Sequence, residues 1–207
     1  MRYLFFSDVH GDASKLARLP VDSVDKVFFL GDAVGDFTSP NECIDFLRAN
    51  NVICVMGNHD AFTVGRLCLN DFTSNVKTQA KIDGWIKSNL SVLTPENLVW
   101  LKSLPFKYED NLVTVVHANP LNFTEFLENG EVAGKHFDNF STPFLFHGHM
   151  HVPQVFDGFS FRFIECKEYL TPKSIVGVPS TSRSWDGSKT GYLIFDTDTK
   201  EVEFFEL

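Results

Sequence analysis

Residues 144–151 read FLFHGHMH, an apolar run followed by three histidines within five positions, in a chain of 207 residues that holds only seven. A short continuous apolar run that stops at a turn signal reads as a strand buried on both faces. The polar residues at its carboxyl end can form a solvated loop. They can also face a group that needs imidazole, and His149 and His151, two positions apart, can address one point.

The same pattern recurs upstream. RYLFFS (2–7) ends in Asp8-Val9-His10-Gly11-Asp12, and KVFFL (26–30) ends in Gly31-Asp32. VICVM (52–56) ends in Gly57-Asn58-His59-Asp60, and LVTVV (112–116) ends in His117-Ala118-Asn119. Helical spacing lies between them. Residues 40–50 place Cys43, Ile44, Phe46 and Leu47 on one face, with Ser39 as a cap ahead of Pro40. Residues 76–90 and 95–104 have similar spacing, the second opening on Thr94-Pro95 with Asn97.

The last third changes character. QVFDGFSFRF (154–163) reads as two strands about Asp157-Gly158, with Phe159, Phe161 and Phe163 alternating against Ser160 and Arg162. GYLIFDTDTKEVEFFEL (191–207) reads as a second hairpin about 197–200. Strands that alternate with helices early and pair antiparallel late predict one α/β domain over 1–207. Its expected architecture is two packed mixed β-sheets flanked by helices, an α/β/β/α sandwich. Most of the 22 phenylalanines are expected in its core.

Composition narrows the function. The net charge is −9 with no Lys/Arg run, which argues against a nucleic-acid polymer or a membrane surface as partner. No apolar stretch has transmembrane length, and MRYLFFSDVHGD lacks the form of a signal peptide. Cys43, Cys54, Cys68 and Cys166 show no CxxC spacing and read as reduced, partly buried thiols. A cytoplasmic protein is expected, with its oligomeric state left open.

Open α/β sheets bind ligands outside the carboxyl ends of their strands. The donors gathered there are Asp8, His10, Asp32, Asn58, His59, His117, His149 and His151. Oxygen and imidazole donors without thiolate suit Mn²⁺, Fe, Zn²⁺ or Ni²⁺. Seven of them suffice for two coordination shells, since one carboxylate can bridge two ions about 3.5–4 Å apart.

In this order the motifs resemble those of the calcineurin-like metallophosphoesterases: D-x-H, G-D, G-N-H-[DE], H and G-H-x-H. They stand here as Asp8-Val9-His10, Gly31-Asp32, Gly57-Asn58-His59-Asp60, His117 and Gly148-His149-Met150-His151. The stretch 31–60 and, more loosely, PSTSRSWDGSKTGYLIFD (179–196) resemble the small bacterial and archaeal members. The resemblance implies a metallophosphoesterase-like sandwich with two divalent ions, Mn²⁺ foremost. Asp8, His10 and His151 would hold one ion and Asn58, His117 and His149 the other, with Asp32 bridging. His59 would be the acid or charge stabiliser opposite a metal-bridging hydroxide. The substrate implied is a small phosphodiester, phosphomonoester or nucleotide polyphosphate. Four positive charges against two ligand carboxylates would make such a centre cationic within an acidic protein.

The sequence also departs from the pattern. Gly35 and Asp36 stand where the protein Ser/Thr phosphatase branch has the His-orienting Asp and the phosphate-gripping Arg. That disfavours a phosphoprotein substrate. Asp36 either orients His59 or is a solvated loop residue, while Asp60 is expected behind the ligands. Arg183 is the candidate replacement phosphate contact, ahead of Lys173 and Lys189. A dinucleoside tetraphosphate would need a stacking ring, for which Phe37, Phe62 or Trp185 could serve. His147 is expected to pack at the strand end or support the ligands, and His136 to lie on a helix surface. The competing readings are a non-catalytic interaction module on the same fold, which would be expected to lack some of these residues, and a hydrolase of non-phosphate esters or amides.

Overall fold

The computed structural model describes residues 1–184, 187 and 189–207. Its first strands are β1 (Arg2–Phe6), β2 (Lys26–Phe29), β3 (Ile53–Cys54), β4 (Lys107–Glu109), β5 (Val113–Val116) and β6 (Phe144–His147). Then follow β7 (Gln154–Phe156), β8 (Phe161–Phe163), β9 (Lys167–Tyr169), β10 (Ser174–Gly177), β11 (Gly191–Asp196) and β12 (Glu201–Glu206). One sheet runs β3-β2-β1-β11-β12-β9 and the other β4-β5-β6-β10-β7-β8. Both are mixed: β1, β2 and β3 are parallel, as are β5, β6 and β10, with antiparallel strands filling the flanks.

Period-two alternation sorts the apolar runs between two cores. From β1 and β2, Tyr3, Phe5 and Phe28 enter the core between the sheets, while Leu4, Phe6, Val27 and Phe29 face the helices. Parallel register brings Phe5 beside Phe28 and Phe6 beside Phe29. Phe5 also stacks on Phe146 of β6, with centroids 3.9 Å apart and planes 4° apart, joining the two sheets.

Helix α1 (Pro40–Ala49) lays Cys43, Ile44 and Leu47 on the first sheet. Next come α2 (Asn58–Thr63), α3 (Leu69–Phe72), α4 (Val76–Val92), α5 (Pro95–Ser103) and α6 (Gly130–Gly134). Asn75 caps α4 by accepting from Lys77 and Thr78 N–H, and Thr94 caps α5 by accepting from Asn97 N–H. Ser39 makes no side-chain capping bond, contrary to expectation. On the outer face of the second sheet, Ala133 of α6 packs with Leu127, Leu145 and Phe156.

Several elements differ from the sequence reading. The run 52–56 pairs as a strand only at Ile53–Cys54, because Met56 N–H turns to the Pro105 carbonyl (2.8 Å). Strands β4, β9 and β10 were not expected, and β10 inserts between β6 and the 154–163 hairpin. The hairpin forms as expected, but β8 is a sheet edge, so Phe159 is fully exposed and Phe163 is 61% exposed. His136 is buried rather than on a helix surface: it follows α6 and its Nε2 lies 3.0 Å from Glu125 Oε2. All four thiols are free, Cys43 and Cys54 buried but Cys68 and Cys166 exposed. Among the described residues no helix is long and apolar enough to cross a membrane.

Candidate metal centre

The parallel strands carry their following loops to one edge of the sandwich, where the two sheets are tied together. Ser7, after β1, bridges to Ser180, beyond β10, and Thr181 N–H donates to the Ser7 carbonyl (2.9 Å). Asp8 N–H reaches Gly31 O, His10 N–H reaches Asp32 O, and Gly148 N–H reaches His117 O. Loops from distant parts of the chain thereby meet.

That meeting bends the backbone. Asp8, His10, Asp32, His149 and His151 have φ between +51° and +64°, five of the eight non-glycine residues with positive φ among those described. Each such conformation costs on the order of 1–3 kcal/mol and persists only where the surroundings impose it. Ser180 and Ser182 hydroxyls both donate to the Asp8 carbonyl, at 2.8 and 2.9 Å, and hold it in place. Glycine provides the space at two points. A Cβ on Gly57 would lie 2.1 Å from Asp32 Oδ1, and one on Gly148 would lie 2.1 Å from Ser7 Oγ.

Two donor groups result. His10 Nε2 and His151 Nε2 are 3.1 Å apart, and Asp8 Oδ1 is 3.8 and 3.2 Å from them. Donors that share one ion at about 2.1 Å stand roughly 3–3.5 Å from one another, close to this spacing. On the other side His117 Nε2 is 2.8 Å from Asn58 Oδ1 and 3.5 Å from Asp32 Oδ2. Asp32 Oδ2 also lies 3.9 Å from His10 Nδ1, so its carboxylate stands between the groups. Spacing alone also admits His59, whose Nε2 is 3.9 Å from Asp32 Oδ2 and which clusters with His10 and Asp32. His149 joins no such cluster, but its ring lies 5.0 Å from that of His117.

The tautomers suit metal ligands. His117 Nδ1–H donates to Leu30 O (2.7 Å), His149 Nε2–H to Thr124 O (3.2 Å) and His151 Nδ1–H to Arg183 O (3.0 Å). A ligand imidazole characteristically gives its other N–H to a carbonyl in this way, keeping one nitrogen lone pair turned inward. The protonation states of the imidazoles agree. Burial and the neighbouring His59 push His10 well below its ordinary range, burial lowers His117, and burial with His117 lowers His149. Burial alone would raise Asp8, but His151, His117 and His10 hold it well below the usual carboxylate range. Asp32 is raised by burial and by the Asp8 and Asp60 charges. Neutral imidazoles, closely set carboxylates, and Asp8 Oδ1 and His10 Nδ1 buried without hydrogen-bond partners make a donor set that fits divalent cations.

Support lies behind the donors. Asp60 is fully buried and accepts Asp32, Gly57 and Val34 N–H at 2.9, 3.0 and 3.2 Å, tying the second motif to the third. His147 is buried with Nδ1 3.0 Å from Gly148 O. Asp36 makes no hydrogen bond to His59 among the described residues: it is an exposed loop residue that binds Arg183 Nη1 at 2.7 Å, and both line the site cavity. Lys173 instead bonds the Phe137 and Phe140 carbonyls and Lys189 pairs with Glu206, so neither is at the cavity.

The cavity, of about 180 Å³, has an apolar wall of Phe62, Phe72, Ile82 and Trp85 beside the donors. Phe62 is buried in that wall, and Phe37 is partly exposed with the Arg183 guanidinium 5.8 Å from its ring. Trp185 lies outside the described residues. Sequence reasoning missed Trp85, whose ring stacks on His59, and the hydroxyls of Ser180 and Ser182. It also missed Phe126, stacked on His149 with centroids 4.1 Å apart. Trp85 looks like any apolar helix residue, whereas the serines fall in a stretch that the motif comparison touched only loosely.

Two mixed sheets with a buried Asp/His/Asn cluster at one edge define a metallophosphoesterase fold. Residues 1–153 match the calcineurin-like phosphoesterase family, and the chain belongs to that family. It is 31% identical over 216 residues to an uncharacterised protein of Methanocaldococcus jannaschii, covering 95% of this chain and 83% of that one. A metallophosphoesterase structure from Sphaerobacter thermophilus superposes with a TM-score of 0.83 at 31% identity, covering 100% of this chain and 88% of that one. A phosphoesterase from E. coli shares the fold, with a TM-score of 0.52 at 17% identity over 96% and 90% of the two chains.

Proposed function

We propose that the protein hydrolyses a small phosphodiester, phosphomonoester or nucleotide polyphosphate with the help of two divalent ions, manganese foremost. The observation that carries this reading is the buried group of Asp8, His10 and His151 atoms 3.1–3.8 Å apart, with Asp32 leading from it to His117 and Asn58. Asp8, His10 and His151 would hold one ion, Asn58, His117 and His149 the other, and Asp32 both. When bound, such ions act as Lewis acids and acidify a water into a nucleophile near neutral pH.

The chain's own residues do the rest. His59 lines the cavity, and its Nε2 donates to the leaving or phosphoryl oxygen. Its imidazole is neutral in the metal-free chain, lowered to about 3 by burial and His117, and a bound phosphoryl group favours its charged form. Arg183 exchanges Asp36 for a phosphoryl oxygen, a charge-assisted contact of the same kind. The net charge of −9 disfavours long polyanions as substrates and leaves small anions that fit inside the cavity. With its four cysteines unbridged, we assign it to the cytoplasm.

The test is hydrolysis of bis-p-nitrophenyl phosphate and p-nitrophenyl phosphate by purified protein, with Mn²⁺ and after chelation, alongside metal analysis. Turnover that chelation abolishes, with two ions per chain, is expected. A chain that neither binds metal nor turns over ester refutes the proposal.

A further inference from the structure

We infer that Trp85 is a positioning residue for His59, an inference that rests on the phosphoesterase reading above. The two rings lie face to face, with centroids 4.3 Å apart and planes 7° apart. Among the described residues no hydrogen bond fixes the imidazole plane: Nδ1 is buried without a partner, and Nε2 is 3.9 Å from Asp32 Oδ2. The χ2 torsion of histidine is broad, so a ring without such bonds takes its orientation from packing. The indole face supplies that packing, and the His10 ring packs edge-on against the imidazole as well, 4.5 Å away at 66°.

The indole is itself held. Trp85 is buried and packs with Ile82 and Phe62, the Phe62 ring meeting it edge-on at 6.3 Å and 70°. One helical turn on, Asn89 Nδ2 donates to Gly35 O at 2.7 Å, tying α4 to the loop after Asp32. At position 35 itself no side chain fits, since a Cβ would lie 2.7 Å from His10 Cβ. The loop therefore cannot offer His59 a carboxylate from that position, and α4 offers an indole instead. The stack directs Nε2 into the cavity, where a leaving oxygen would accept its hydrogen bond.

Two variants, Trp85→Leu and Trp85→Phe, test this with two readouts. In the metal-free protein, the carbon-bound ring protons of His59, assigned by their loss in His59→Gln, lie over the indole face and resonate upfield. Trp85→Leu moves them downfield, and Trp85→Phe keeps most of the shift. The second readout is a series of aryl phosphodiesters from p-nitrophenyl to phenyl. A positioned acid contributes about 10²–10⁴-fold, and most where the leaving group is poor, so Trp85→Leu lowers kcat about tenfold or more on the phenyl ester. On the nitrophenyl ester, whose leaving group needs little protonation, kcat falls by a much smaller factor, and Trp85→Phe loses less than Trp85→Leu on the phenyl ester. Equal losses on both esters, or His59 protons that do not move in Trp85→Leu, overturn the inference while leaving the native activity standing. A native chain that binds no metal and turns over neither these diesters nor the corresponding aryl phosphomonoesters overturns the phosphoesterase reading, and the positioning role falls with it.

Discussion

Replacing Gly57 by alanine isolates the placement of Asp32 from every other property of the site. Gly57 has φ −92° and ψ 176°, a backbone that alanine adopts freely, so no conformational penalty attaches to the change. The obstacle is the added methyl, which meets Asp32 Oδ1 at 2.1 Å and Asp32 N at 2.3 Å. Real Cβ contacts essentially never fall under 3.0 Å, so the carboxylate or the loop must retreat by about 0.9 Å. A misplacement of about 1 Å at a reacting centre costs about 10²-fold in rate, whereas overpacking costs about 1–3 kcal/mol in stability. The expected variant is therefore folded, modestly destabilised, weakened in metal uptake and about a hundredfold slower. Gly84→Ala serves as the control: a Cβ there meets nothing within 4 Å in the middle of α4, and helix propensity gives about 1 kcal/mol of added stability. Urea unfolding, metal titration and Mn²⁺-dependent hydrolysis of bis-p-nitrophenyl phosphate are the assays. A Gly57→Ala enzyme within about threefold of native, against the 10²-fold expected, refutes the view that close packing holds the carboxylate between two ions.

Asp60→Ala strips the acceptors from three buried backbone N–H groups, at about 1–3 kcal/mol for each donor left unpaired, so a loss of about 3–5 kcal/mol in urea unfolding is expected. A loss under about 1 kcal/mol would show that water takes over the role of the carboxylate. His147 gives a pH prediction. Burial lowers its imidazole to about 4 from 6.5, so as pH falls below 6.5 the unfolded chain takes up the proton first. Its contribution to stability is intact above pH 6.5 and is lost progressively down to about 4, at up to about 1.4 kcal/mol per pH unit. In chelator, His147→Gln should make the acid-side slope of the unfolding free energy shallower, and an unchanged slope speaks against the assignment.

Short-range signals made much of this molecule legible in its sequence. Runs such as RYLFFS and PFLF announce strands by composition, and the donors follow within a few residues of each, so strand type and donor identity are read together. What determines β10 is different in kind. SIVG has only two strongly apolar residues, Ile175 and Val176, and it is a strand because β6 and β7 have open edges for it. Trp85 could not be singled out for a like reason: its meaning lies in His59, 26 positions upstream and on another helix. Asp36 and Arg183 were both visible, but only the fold places them 2.7 Å apart. His136 misled because nothing local in the sequence marks its partner, Glu125, which comes from the preceding loop.

The separation of His10 from His151 along the chain, 141 positions, sets when the site can exist. A ribosome extends the chain from its amino end at about 5–20 residues per second, and structure with such distant pairings is slow to form. Until residue 149 has left the exit tunnel neither group of candidate donors is complete, and the group with His10 waits for residue 151. The hydroxyls of Ser180 and Ser182, which hold Asp8 in its strained backbone, arrive later still. Shorter amino-terminal fragments thus lack the full group of candidate donors. Completion of the donor cluster becomes a late event that reports on a finished protein.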